Sequence, residues 1–250
     1  MKQSKSEFWS GEEYDAQYGN SYAGEISFFQ DLISHQNVLS QLDVCCGTGL
    51  VTIPLSRKLS HVVGIDFSSS MIDFAKYKSS SISDIAFYEM DAADFNLQTV
   101  FDLIVMTGNA FQAFISDEDF SSMLNNVNSH MHAESLFVFD SRLPCSENFE
   151  TTSSYEHWSS YKSPTGENVS VSGLDSRHPK LNNTMLHHVR REYENGEQYH
   201  SSIELKYRSI DEIVKVLERN GLLLVEYYAD WKKTPLTETS TSFVGVVRPL

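Results

Sequence analysis

Cysteine is scarce in this sequence. Only Cys45, Cys46 and Cys145 occur among 250 residues. The count is odd and two are adjacent, which excludes a disulfide framework. Basic residues are also few: 19 Lys and Arg stand against 34 Asp and Glu, a formal net charge of −15. Such an acidic surface repels phosphate backbones and anionic lipid, so nucleic acid and membrane surfaces are poor partners. Long apolar runs are missing, and none approaches the ~18 residues of a membrane span. The opening stretch, MKQSKSEFWSGEEYDAQYG, has no apolar signal-peptide core. No internal repeat or low-complexity linker interrupts the chain. These absences point to a soluble protein of a reducing compartment, the cytoplasm.

What is present is enough for a real core: 40% of residues are hydrophobic. The length suits one α/β domain with an insertion. Apolar spacing predicts helices over 24–36, 50–59, 69–78 and 117–130, with Ser68 or Ser69 and Asp117 as caps. Between them lie short apolar runs at 42–45, 61–65, 85–88, 101–106 and 136–139. Strand–helix alternation with near-continuous apolar strands predicts a parallel sheet covered on both faces. The pattern changes at 145–182, which is rich in Ser, Asn and Gly. Two β-rich stretches, 185–193 and 197–208, then flank Asn195-Gly196, a hairpin signal. A helix at 210–219 and strands at 222–228 and 242–247 close the chain.

The chemistry centres on Asp43-Val44-Cys45-Cys46-Gly47-Thr48-Gly49, between a strand and a helix. Small residues there let a ligand approach the backbone, and the next helix offers free N–H groups. Asp66, at the tip of the following strand, is placed to accept hydrogen bonds from a ribose diol. These two features alone also fit a nicotinamide or flavin site. A dinucleotide fingerprint, however, needs a third glycine where Thr52 stands.

The motifs resemble those of class I S-adenosylmethionine (SAM)-dependent methyltransferases. LDVCCGTG resembles their first motif, with Cys45 in place of its usual first glycine and Asp43, Gly47 and Gly49 in its other positions. GIDFSSSMIDFAK resembles the second, which implies Asp66 on the ribose and Phe67 and Met71 beside the adenine. MDAADF resembles the third, implying Asp91 at the adenine amino group and the Ala92 N–H nearby. FDLIVMTGNAF resembles the fourth, implying Thr107 and its loop beneath the methionine part. The resemblance covers 38–140 by motif and 205–248 by architecture. It implies a Rossmann-like α/β fold with a seven-stranded, mostly parallel sheet, an antiparallel last strand and a small antiparallel β insertion. It also implies SAM as cofactor and S-adenosylhomocysteine as product. The insertion resembles the arrangement of the glycine and sugar-amine N-methyltransferases.

Trp9, Tyr14, Tyr18 and Tyr22 precede the first long helix, and the three tyrosines recur every fourth residue. In similar small-molecule enzymes this segment lids the cofactor, and Tyr18 is the favoured contact, with Tyr14 next. Cys45 and Cys46 read as small buried hydrophobes. No metal set stands out: His187 and His188 are neighbours in a strand and face opposite ways. Catalytic residues are not legible. Asn109, Gln112, Arg142, Trp158, Tyr161, Asp230 and Trp231 are placed to face a substrate.

The expected organisation is a helical lid (1–36), a SAM-binding core (37–144), an antiparallel substrate cap (145–208) and a closing part of the core sheet (209–250). The expected activity is methyl transfer to the N or O atom of a small-molecule acceptor, with no nucleic acid or membrane partner. Nitrogen is favoured slightly, because no dedicated base stands out. A homodimer is compatible with the sequence. A SAM- or S-adenosylhomocysteine-binding protein without turnover shares every motif, and a nicotinamide-dependent oxidoreductase is the other alternative.

Overall fold

Two β-sheets, seven- and five-stranded, organise the computed structural model, which describes residues 2–4 (backbone only) and 6–250. The strands, in chain order, are β1 (Lys2–Ser4), β2 (Ser40–Val44), β3 (His61–Asp66), β4 (Ile85–Glu89), β5 (Phe101–Met106), β6 (Met131–Arg142), β7 (Glu156–Lys162), β8 (Asn168–Arg177), β9 (Thr184–Tyr193), β10 (Gln198–Lys206), β11 (Leu222–Tyr228) and β12 (Ser242–Pro249). The helices are α1 (Gly11–Tyr18), α2 (Ala23–His35), α3 (Thr52–Ser56), α4 (Ser69–Ser79), α5 (Asp117–Ser129) and α6 (Ile210–Arg219).

The larger sheet has the order β11-β12-β6-β5-β2-β3-β4. The strands from β6 to β4 run parallel, while β12 is antiparallel to both of its neighbours. Its central strands bury both faces: Leu103, Ile104, Val105 and Met106 are fully inaccessible. That explains why they read as continuous apolar runs rather than alternating ones. On one face α5 and α6 contribute Phe120, Met123, Leu124, Ile213 and Leu217 to the core. On the other, α2 contributes Phe28, Phe29, Leu32 and Ile33, and α3 contributes Leu55. Because β2 lies between β5 and β3, the chain leaves β2 at a switch point of the sheet. Ligands bind outside the carboxyl ends of strands at such points.

Several elements differ from the sequence expectation. Helix α5 is capped by Ser116, whose hydroxyl accepts from the Asp119 N–H at 2.9 Å, so Asp117 is its first residue rather than its cap. Helix α3 spans Thr52–Ser56, shorter than the predicted 50–59, because the chain is still turning at Gly49. The expected antiparallel insertion is present, and the Ser-rich stretch supplies two strands to it that the sequence pattern does not mark individually: within 145–182 lie β7 and β8, a hairpin turned at residues 163–167. With β9 and β10 it forms an antiparallel sheet of order β1-β10-β9-β8-β7, to which β1 adds in parallel. Alternation sets its faces. Met185, His187 and Val189 of β9 and Ile203 and Leu205 of β10 all face one cavity.

Candidate active site

The loops after β2, β3 and β5 meet at one end of the larger sheet, and the loop after β2 turns on three positive φ angles. They are 61° at Cys45, 53° at Gly47 and 78° at Gly49. A Cβ on Gly47 would meet nothing within 4 Å, so open space lies directly above the backbone there. The turn is tied down from behind. The Cys46 N–H donates to the Ile65 carbonyl at 2.9 Å, and the Gly47 N–H donates to Asp66 Oδ2 at 2.9 Å. Asp66 Oδ1 accepts the Ser68 N–H at 2.9 Å. A carboxylate has about four acceptor sites, so two remain for a ligand. Burial raises the Asp66 carboxyl above the ordinary range, and the two amide donors oppose that shift.

A cavity of about 790 Å³ opens above these loops. Ligand pockets run from ~300 to ~1,000 Å³. Its floor is Cys45, Gly47, Asp66 and Phe67, its side wall is Thr107, Gly108 and Asn109, and its roof is one face of the smaller sheet. Phe8 meets Phe67 edge-to-face, with centroids 5.9 Å apart.

The N-terminal segment forms another wall. Tyr14 and Tyr18 lie on α1 with rings 4.8 Å apart, and the Tyr14 and Tyr22 hydroxyls are hydrogen-bonded at 2.8 Å. Burial pushes the Tyr14 hydroxyl well up and the Tyr22 hydroxyl up to about 12, so both remain neutral donors and acceptors. Helix α1 is held down by Asp15, which accepts from the Thr48 hydroxyl and pairs with Lys78 of α4 at 2.5 Å. Glu7 pairs with the buried Arg191 of β9 at 2.5 Å, and Trp9 stacks on Tyr199 at 5.3 Å.

Of the residues expected on the cofactor, Tyr18, Cys45, Gly47, Asp66, Phe67 and Thr107 line the cavity. Asp43, Gly49, Met71, Asp91 and Ala92 are not on its wall. Asp43 lies buried behind the turn and accepts the Thr52 hydroxyl at 2.6 Å, with Oδ1 unpartnered. Burial pushes it up to about 7. Gly49 packs near Phe87 and Ile53, and Met71 is fully buried on α4. Asp91 Oδ1 accepts the Ala93 N–H at 2.8 Å, and Ala92 belongs to the core. The Cys45 and Cys46 thiols are pushed well up by burial and by nearby carboxylates, so both stay protonated.

Among the substrate-facing candidates, Asn109, Arg142 and Trp158 line the cavity. Gln112 is buried, and its Oε1 accepts the Arg142 N–H at 3.4 Å. The Tyr161 hydroxyl donates to Glu13 at 2.6 Å. Asp230 organises its own turn through Lys232 and Thr234, while Trp231 packs on Phe28 and Phe29. Sequence reasoning missed Phe8, Glu25, Asp175, His187 and Tyr207, which all face the cavity. The period-2 pattern of β9 was the available signal for His187. Its partner across the sheet needed the register.

Comparisons with known proteins agree with this geometry. Residues 42–134 match the family model described as methyltransferase domain. A Bacillus subtilis (strain 168) protein, provisionally called the methyltransferase YqeM, is 31% identical over 100 residues, 40% of each chain. Demethylmenaquinone methyltransferase of Staphylococcus aureus (strain MRSA252) is 41% identical over 59 residues, 22% of this chain and 24% of that one. The matched stretches therefore span well under half of these relatives' own length. Among solved structures, an S-adenosylmethionine-dependent methyltransferase from Clostridium acetobutylicum superposes with a TM-score of 0.82 at 17% identity, covering 94% of this chain and 96% of that one. A SAM-bound amino pentose methyltransferase from Micromonospora echinaspora gives 0.74 at 17% identity, with 95% and 96% covered. Residues 42–134 thus match a methyltransferase domain, and the whole chain shares the fold of solved S-adenosylmethionine-dependent methyltransferases.

Proposed function

We propose that this protein binds SAM and transfers its methyl group to an amine on a small-molecule acceptor. The observation that carries the reading is the single cavity, which runs from the Gly47–Asp66 floor to the roof of the smaller sheet. The residues suit the cofactor. Gly47 leaves open space over a positive-φ turn, and the Asp66 carboxylate retains acceptor capacity for a ribose diol. Phe67 is 61% exposed beside Phe8, offering an apolar slot for a purine ring. Tyr18, Cys45 and Thr107 would hold the amino-acid end. Asp43, Gly49, Met71, Asp91 and Ala92 would shape the site from behind. Bound SAM supplies an electrophilic methyl group on a positively charged sulfur.

The chain's own contribution is alignment and exclusion of water. Residues 1–36 would act as the lid, 37–144 and 209–250 as the core, and 145–208 as the cap. Acceptor space continuous with the cofactor site favours an enzyme over a binding protein without turnover. The character of that space favours nitrogen. Glu25, Glu147, Glu150 and Glu156 line it, against the single guanidinium of Arg142. A predominantly carboxylate wall attracts a cationic amine. The relatives with an amino pentose or a sugar nitrogen in their names support the same direction.

The test is incubation with SAM and a panel of amino sugars, simple primary amines and matched hydroxyl compounds. Methylated amine as the product supports the reading. Cofactor binding without consumption by any compound would leave only the binding-protein alternative.

A further inference from the structure

The roof of the cavity carries a polar group that the cofactor site does not use. His187 of β9 and Asp175 of β8 are cross-strand partners in the antiparallel register, on the same face. Asp175 Oδ1 lies 2.7 Å from His187 Nδ1. A carboxylate at that distance fixes the ring: Nδ1 carries the proton and donates it to Asp175, which leaves Nε2 with a free lone pair. Nε2 faces the Tyr207 hydroxyl at 3.4 Å, a loose contact that a ligand group could replace. Both partners are mostly buried, with side chains 13% and 22% accessible. The edge of Trp158 on β7 approaches the same ring at 6.5 Å. All four side chains line the cavity, opposite the loops that hold the cofactor.

We propose that His187 is the general base of the reaction and that Asp175 is the positioning residue that holds its neutral ring as the Nδ1–H tautomer, with the Nε2 lone pair turned toward the cavity. The inference rests on the amine reading above. An amine reaches the site mainly as its ammonium, which has no lone pair with which to attack. His187 Nε2 takes that proton: the N–H bond breaks, its electron pair stays on the acceptor nitrogen, and the proton passes from the imidazolium to solvent. The free amine is then the nucleophile. The ionisable groups facing His187 are Asp175 on β8, Tyr207 after β10 and, along the same wall, Glu156 on β7. Ile203, opposite on β10, is neutral.

The test uses the full chain with S-adenosylhomocysteine bound. Imidazole ¹⁵N resonances at roughly pH 8, where a histidine ring is ordinarily neutral, should show His187 as the Nδ1–H tautomer. Asp175→Asn should abolish that preference, and Tyr207→Phe should preserve it. An Nε2–H tautomer in the wild type would overturn the proposal. With the best amine of the panel, His187→Gln should keep S-adenosylhomocysteine affinity and lose about 10²–10⁴-fold in kcat. The acid limb of the kcat/KM profile should disappear, and added imidazole should restore part of the rate. A kcat within threefold of wild type would also overturn the role. No turnover with any amine would sink the methyl-transfer reading instead, leaving the tautomer to decide the dyad.

Discussion

The Gly47 backbone N–H donates to Asp66 Oδ2 at 2.9 Å, locking the turn after β2 to the tip of β3. One carboxylate thus holds the loop in place and presents its spare acceptor sites to the cavity. Asp66→Ala removes both functions. SAM binding should weaken by about 1–3 kcal/mol, the scale of a lost charge-assisted hydrogen bond. Calorimetric titration of the variant checks this, and unchanged affinity would detach Asp66 from the ligand.

A buried ion pair ties the N-terminal segment to the smaller sheet. Arg191 is 3% exposed and donates to Glu7 Oε1 at 2.5 Å, Gln17 Oε1 at 2.9 Å and the Ser201 hydroxyl at 3.2 Å. Glu7→Ala leaves this guanidinium buried without its counter-charge, a change that typically costs about 3–5 kcal/mol. The melting temperature should fall, and S-adenosylhomocysteine affinity should fall with it because Phe8 loses its anchor. The double variant Glu7→Ala with Arg191→Met should recover much of the stability but not the affinity.

Trp158 owes its position to Gly173. A Cβ at Gly173 would lie 1.7 Å from the indole Cζ2. Gly173→Ala must therefore swing the ring off the roof, away from His187. Tryptophan emission should shift and KM for the acceptor should rise, while S-adenosylhomocysteine binds as before. An unchanged KM would show that Trp158 does not contact the acceptor.

Two buried carboxyls make stability depend on pH. Burial pushes Asp43 and Asp140 up to about 7 each, against an opposing hydrogen bond from Thr52 and from the Asn109 N–H respectively. Between about pH 4 and pH 7 the folded chain therefore holds protons that the unfolded chain has released. Stability falls as pH rises through this window, because the unfolded state binds fewer protons. Urea unfolding at pH 5 and pH 8 should show the loss, and Asp140→Asn should reduce it. Equal stability of the wild type at both values would contradict it.

The central sheet was legible because burial on both faces forces apolar runs such as 101–106, and because Gly47, Gly49 and Asp66 sit where the strands end. The hairpin of β7 and β8 was not. Ser159 and Ser160 sit side by side on β7 and only Val169 and Val171 give β8 a short alternation, so the stretch as a whole reads as polar. The same gap hid the dyad. Asp175 and His187 are twelve residues apart, and only the β8–β9 register shows that they share a face. Met71 shows the converse limit: the motif resemblance implies a place beside the adenine, whereas the side chain is fully buried on α4 and does not line the cavity.

Equilibrium titration of the wild-type chain with SAM, and separately with NADH, tests the account at its root. Micromolar SAM affinity with no NADH binding is the predicted result. Tight NADH binding with no response to SAM would mean that the turn after β2 and the carboxylate of Asp66 serve a different nucleotide.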